Sequence, residues 1–391
     1  MPSADPTGTF VPVRAQVSVA RGMPRGRMLA SVVGMTAANH SAPNHSIPTQ
    51  SPAHSGAEPA RPTAPDLTST PARVPWTAVV VFVVLACGLA WLVSLPLWFD
   101  GGLANPLAAL LLPVIMFTPG VAALFVVFMV QRPRPQPISE YLGLWPLRPL
   151  GRIIWMTVFG IIGSALLVIV GVFLAAALGL VQLDLVAFSG FAQVLEAASP
   201  IASPVPVSVI VLLQVLTIPI GALFNGIFAL GEELGWRGWL LPSLRPLGTW
   251  PALLISGAVW GFWHSPLILL GYNFGQANLL GVAMMIGGCV FYGVLIGWLR
   301  LRTASIWPAV FAHGAFNAAA GFLLLVVAAN STADPVATGP LGWVGWIVMA
   351  VVIGVLVLTG QFTIQPALQR RTAAGAPGQP APVTPESNRS A

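Results

Sequence analysis

The stretch VSVIVLLQVLTIPIGALFNGIFALGEELGWRGWLL, residues 207–241, is apolar for most of its length and then carries Glu232, Glu233 and Arg237. About 20 consecutive apolar residues suffice to cross the hydrocarbon core of a bilayer, so the run reads as a membrane helix. Composition agrees: 56% of the 391 residues are hydrophobic and only 7% are charged, whereas a soluble domain is about a quarter charged. The chain is therefore expected to be an integral membrane protein.

Seven further segments resemble this one, at 76–98, 104–130, 152–180, 251–270, 279–299, 304–328 and 341–361. Interior prolines such as Pro113, Pro119 and Pro219 are tolerable, because neighbouring helices and water satisfy the carbonyls they free. Arginines fall in alternate loops: Arg61 and Arg73, then Arg132, Arg134, Arg148 and Arg152, then Arg245, then Arg300 and Arg302, then Arg370 and Arg371. The loops between hold only Asp100, Asp184, Glu196 and Asp334 as charges. The positive-inside rule then predicts an all-α polytopic membrane protein of about eight transmembrane helices with both termini cytoplasmic, in the cell (plasma) membrane. Residues 1–74 and 363–391, rich in Pro, Ala and Ser, read as disordered tails around a membrane domain at 75–362. The piece RGRMLASVVGMTAAN, residues 25–39, is too interrupted for a signal peptide.

All seventeen basic residues are arginine. The net charge of +6 lies in loops and tails, so it reports topology and implies no nucleic-acid partner. Cys87 and Cys289 sit in apolar segments without metal or disulfide spacing and read as small buried hydrophobes. No internal repeat supports the inverted-repeat plan of many transporters. Nothing in the sequence fixes an oligomeric state.

Once tails and loops are set aside, the acidic residues within spans are Glu232 and Glu233, and the histidines are His264 and His313. An ionisable group in a bilayer costs about 3 kcal/mol or more, so such groups face one another or a wet cavity. Counted at 1.5 Å per residue from the nearest arginine-bearing end, Glu232 lies about 15 Å deep, His264 about 20 Å and His313 about 16 Å. Three helices thus deliver polar groups to one level. Glu233 and Arg237 are four apart and share a helix face, as do Trp260 with His264 and His313 with Asn317. Glu232 points about 100° from Glu233 and has no partner on its own helix. Trp236, Trp239, Trp260 and Trp263 read as interfacial anchors or packing, Asn273 and Gln276 as outer-loop residues, and Met284 and Met285 as lipid-facing or packing residues.

A desolvated carboxylate beside a histidine can activate water as a general base. His313 and Asn317 could donate hydrogen bonds to an oxyanion, which together suits peptide hydrolysis. The same inventory permits a zinc ion on Glu232, His264 and His313, although a helical HExxH motif is absent. The cofactor requirement is therefore none or one zinc. No GxSxG elbow supports serine chemistry.

EELGWR at 232–237, WGFWH at 260–264 and HGAFN at 313–317 resemble, in order and spacing, the EExxxR, FxxxH and HxxxN motifs of the CPBP family. That family, also called Abi, groups CAAX prenyl proteases with bacteriocin-processing enzymes. TPGVAAL at 118–124 and YLGLWPLRP at 141–149 extend the resemblance loosely, and Trp260 stands where phenylalanine is usual. The resemblance implies an intramembrane endopeptidase, of glutamyl or metallo type, acting on a membrane-associated protein or peptide. Glu232 and His264 would activate water, His313 and Asn317 would stabilise the oxyanion, and Glu233 and Arg237 would support them. The rival classes are a proton-coupled transporter using the same residues as a relay, and a non-catalytic immunity or scaffold protein of the same fold.

Overall fold

A computed structural model describes residues 73–132, 137–198 and 204–365; the two tails expected from the sequence lie almost wholly outside these. Every long element among the described residues is a helix. Trp76–Phe99 (α1), Ala108–Ile115 (α2) and Thr118–Phe125 (α3) are followed by the 28-residue Leu150–Ala177 (α4). Val207–Leu216 (α5) and Ile218–Glu233 (α6) precede Thr249–Trp263 (α7), Leu279–Thr303 (α8), Trp307–Ala319 (α9) and Trp343–Leu358 (α10). Among the described residues, six helices or helix pairs are long and apolar enough to cross a membrane: Trp76–Phe99, Ala108–Val130, Leu150–Ala177, Leu279–Thr303, Trp307–Val326 and Pro335–Leu358. The protein is an all-α, multi-pass membrane protein.

The helix pair Val207–Leu216 and Ile218–Leu247 is apolar enough to count as a seventh when taken as one span, and it bends by 53° between α5 and α6. Pro219 sits in the first turn of α6 and has no N–H to offer, so the ladder opens. The Thr217 hydroxyl bonds the Leu213 and Gln214 carbonyls at 2.9 and 3.0 Å at the bend. The expected span at 251–270 differs from its sequence reading. Its helix α7 has 15 residues, about 22 Å, against a hydrocarbon core of about 30 Å. It stops at His264, because Pro266 opens a new short turn at Ser265–Ile268. The helix thus ends at His264, and the chain after it turns back to line the cavity through Leu267, Tyr272, Asn273 and Phe274.

Helix α9 packs against both α4 and α6, and α7 packs along α8. Glycines permit the closest approaches. A Cβ on Gly231, one residue before Glu232, would stand 2.8 Å from the Met116 carbonyl oxygen, so the TPG turn and the glutamate helix touch backbone to backbone. Gly314, beside His313, lies equally tight against the backbone of Ala222 and Gly226. Side chains such as Val80, Val84, Trp155 and Val351 are more than half exposed and form the outward apolar surface a lipid environment requires.

Candidate active site

Glu233 is completely buried. Its Oε1 accepts hydrogen bonds from Arg237 Nη1 and His313 Nδ1, each at 2.9 Å. The pairing with Arg237 is the one helical spacing anticipated; the pairing with His313, from another helix, is new. A carboxylate only accepts, so Nδ1 of His313 carries its hydrogen and Nε2 is left for the cavity. Arg237 is itself buried and lays its guanidinium carbon 4.3 Å from the centroid of the Trp260 ring. Its charge is thus matched by Glu233 below and by a π face beside it.

Glu232 is 2% exposed, and its Oε2 accepts a 2.6 Å hydrogen bond from Trp260 Nε1. The backbone carbonyl of the same tryptophan accepts from His264 Nδ1 at 2.9 Å. A carbonyl cannot donate, so the hydrogen sits on Nδ1 and the neutral ring presents a lone pair at Nε2. One residue therefore sets the orientation of both Glu232 and His264. Trp260 also stands edge-on to the His313 ring, with centroids 5.3 Å apart. Sequence reasoning placed it among the anchors and packing residues. The phenylalanine usual at this position has no N–H and could not make the bond to Glu232.

Trp236, Trp239 and Trp263 are also buried rather than interfacial. Trp236 packs edge-on against Phe82 and Trp263. Trp263 donates to Thr118 Oγ1 at 3.0 Å, which ties the TPG turn to the end of α7. These rings form the apolar floor beneath the charged group.

Glu232, His264, His313 and Asn317 all line a single cavity of about 570 Å³. Glu233 and Arg237 lie behind its wall. Asn317 follows His313 by one helical turn, as the spacing indicated. Asn225 lines the cavity as well and was missed: it precedes Glu232 by seven residues, hence on the same helix face, but a search restricted to ionisable groups passes over it. Its amide donates to the Gly221 carbonyl at 2.9 Å, which aims its oxygen elsewhere. Tyr272, Asn273 and Met285 also belong to the lining: the loop that holds Asn273 forms part of the cavity wall, and of the two roles open to Met285 the packing one holds. Asn273 reaches Met285 Sδ at 3.7 Å because the chain beyond the short α7 returns across the cavity. Burial raises the Tyr272 hydroxyl pKa, and the Glu232 charge adds to it, keeping that phenol protonated as a donor.

The residues Leu234–Leu240 continue α6 in a wider π-helical winding, a feature frequent at functional sites. In that winding the carbonyl of Arg237 looks five residues on for its donor and finds Pro242, which has none. Arg300 supplies it: Nε donates to the Arg237 carbonyl and Nη2 to the Tyr141 carbonyl, both at 3.1 Å. Arg300 read from sequence as a loop charge. In the fold it is a buried brace on the backbone that carries Arg237.

Zinc was the open alternative on Glu232, His264 and His313. Among the described residues no three His, Cys, Asp or Glu side chains converge in a way that could hold a metal ion. No step below runs through a metal.

No curated protein matches the chain. A family model described as "Type II CAAX prenyl endopeptidase Rce1-like" matches residues 209–319, the block that contains every one of the six polar residues above. Residues 209–319 are thus similar to an Rce1-like, type II CAAX prenyl endopeptidase domain, which is consistent with the CPBP family that the three motifs resemble.

Proposed function

We propose that the protein is an intramembrane endopeptidase that cleaves a peptide bond of a membrane-associated protein or peptide, using water activated by Glu232 and His264. The observation that carries this reading is the convergence of Glu232, His264, His313 and Asn317, from three helices, on one cavity within an apolar helical bundle. The Rce1-like match supports the reaction class.

The steps follow from the hydrogen-bond directions. His264 Nε2 accepts one hydrogen of a water molecule and Glu232 takes the other as general base. The oxygen adds to the peptide carbonyl carbon, and the carbonyl oxygen becomes an oxyanion. His313, with Nδ1–H committed to Glu233, stabilises that oxyanion by donating from Nε2, which requires the protonated ring. Asn317 donates from its amide to the same atom. With His313 protonated, two carboxylates face Arg237 and one imidazolium, and the group is neutral overall. Glu232 then gives its proton to the departing nitrogen, the C–N bond breaks as the oxyanion re-forms C=O, and the products are a carboxylic acid and an amine; the acid passes its remaining proton to the amine, leaving carboxylate and ammonium. The arginine-bearing loops support a cytoplasmic position for both termini and for the near side of the cavity, in the plasma membrane.

Purified full-length protein should cleave a membrane-embedded peptide mixture, with Glu232→Gln and His264→Ala each reducing the rate by about 10²- to 10⁴-fold while leaving a folded, inserted protein. Mass spectrometry of the cleavage products reads the result; undiminished cleavage by both variants would sink the mechanism. Activity should also survive exhaustive dialysis against a chelator, and its loss with recovery on added zinc would restore the metal version.

A further inference from the structure

A second cavity, of about 510 Å³, lies between α4, α8 and α10. Several lining residues, among them Phe159, Val170 and Val351, are 47–62% exposed, so the cavity is a groove open on the lipid side. Apart from the hydroxyls of Ser164 and Tyr292, which bond each other at 3.0 Å, its walls are hydrocarbon and indole.

What lies at one end of the groove is not apolar. On α4 the lining residues Phe159, Gly163 and Val170 repeat at helical spacing, and Arg152 continues that stripe seven residues earlier. On α8 the lining residues Leu295 and Leu299 are followed on the same face by Arg302. Phe159 and Trp298, one helical stretch in from these arginines on the same two helices, hold their ring centroids 5.9 Å apart, which brings the arginine-bearing ends of α4 and α8 side by side. Arg302 donates Nη1 to the Ile364 carbonyl at 3.1 Å, and its buried Nε has no partner. Among the described residues neither guanidinium has a carboxylate within ion-pair distance. Two like charges held near each other at the end of an apolar groove are complementary to an anion with a hydrocarbon tail.

We propose that this groove binds one anionic diacyl phospholipid, an acyl chain lying between α4, α8 and α10 and the phosphate seated at Arg152 and Arg302. The site is separate from the catalytic cavity and rests on no part of the peptidase reading. Tyr292 lines both cavities, so the lipid chain would touch the far side of the wall that carries His313.

Delipidated full-length protein in neutral detergent, titrated with phosphatidylglycerol or with phosphatidylcholine of the same chains and read by native mass spectrometry, tests the site. Phosphatidylglycerol should saturate at one molecule per chain at roughly tenfold lower concentration than phosphatidylcholine. Arg152→Gln should weaken it about fivefold, the contribution expected of one arginine at a membrane surface. A Cβ at Gly163 would meet no atom within 4 Å, so Gly163→Phe fills the groove without disturbing the helices and should displace the lipid at unchanged melting temperature. Gly163→Leu serves if the larger ring impairs folding. Glu232→Gln should bind phosphatidylglycerol as the parent does, whatever happens to cleavage. Equal binding of the two lipids, parental binding by the Gly163 variants, or full competition by inorganic phosphate would each overturn the proposal.

Discussion

Two cavities of nearly equal volume meet at Tyr292, and their walls are opposite in kind. One, of about 570 Å³, gathers Glu232, His264, His313, Asn317 and Asn225; the other, of about 510 Å³, has only the Ser164 and Tyr292 hydroxyls. Even these two are satisfied, since Tyr292 donates to the Ala312 carbonyl at 2.9 Å and leaves its oxygen to accept from Ser164. The difference lies in what each lining costs. A polar group in a dry interior destabilises the fold unless it is bonded, so each charged or ring group of the first cavity is tied from behind: Glu232 by Trp260, His264 by the Trp260 carbonyl, His313 by Glu233, Glu233 by Arg237. The second cavity needs no such backing, and its side chains are interchangeable with lipid.

The largest effect should come from breaking that backing at its centre. Glu233→Leu leaves Arg237 buried without its carboxylate, a loss of about 3–5 kcal/mol, read as a fall in thermal unfolding temperature in detergent. Adding Arg237→Met should recover most of the stability, because an apolar pair replaces an ion pair of similar volume. Cleavage should stay lost, since His313 no longer has a carboxylate to hold its ring. Recovery of cleavage in the double variant would show that Glu233 only balances Arg237.

Next in size is Trp260→Phe, which restores the residue usual in the motif. The aromatic packing survives, but the 2.6 Å bond to Glu232 does not. A hydrogen bond to a charged group is worth about 1.5–3 kcal/mol of stability, so the melting temperature should fall by less than in Glu233→Leu while cleavage falls roughly 10- to 100-fold. Parental activity in this variant would mean that Glu232 is positioned by something other than the indole.

How much of this was legible in the sequence depended on whether a residue type is rare in a membrane. Glu232, Glu233, His264 and His313 stand out because carboxylates and imidazoles in apolar runs demand a partner, and helical spacing alone paired Glu233 with Arg237. Trp260 was hidden because tryptophan is common in membrane proteins for other reasons, and only the fold shows which way its N–H points. Arg300 was hidden because an arginine at a span's end reads as a topology signal. Tyr272, Asn273 and Met285 were hidden by one misjudged length: α7 was expected to cross the membrane and instead ends at His264, which turns an outer loop into a cavity wall.

Arg300→Gln sharpens the comparison at a distance from the cavity. The Arg237 and Tyr141 carbonyls would lose their shared donor, at about 1–2 kcal/mol of stability. If the brace acts through the π-helical winding, the turnover rate should fall further than substrate affinity does, and Arg300→Lys, which keeps one donor within reach, should recover part of it. Loss of stability with unchanged turnover would make Arg300 a fold residue only.

The smallest effect should be at the lip of the groove. Val351 is 62% exposed and lines the second cavity. In a soluble core, removing two methyl carbons from a buried valine would cost a kcal/mol or more. Here the alternative to protein contact is lipid, which is as apolar as the side chain, so no hydrophobic driving force opposes the change. Val351→Ala should therefore shift stability by less than about 0.5 kcal/mol and leave cleavage as it was. A large fall in either would mean that the groove wall is packed as tightly as the charged layer beyond Tyr292, and that the two cavities differ less than their linings suggest.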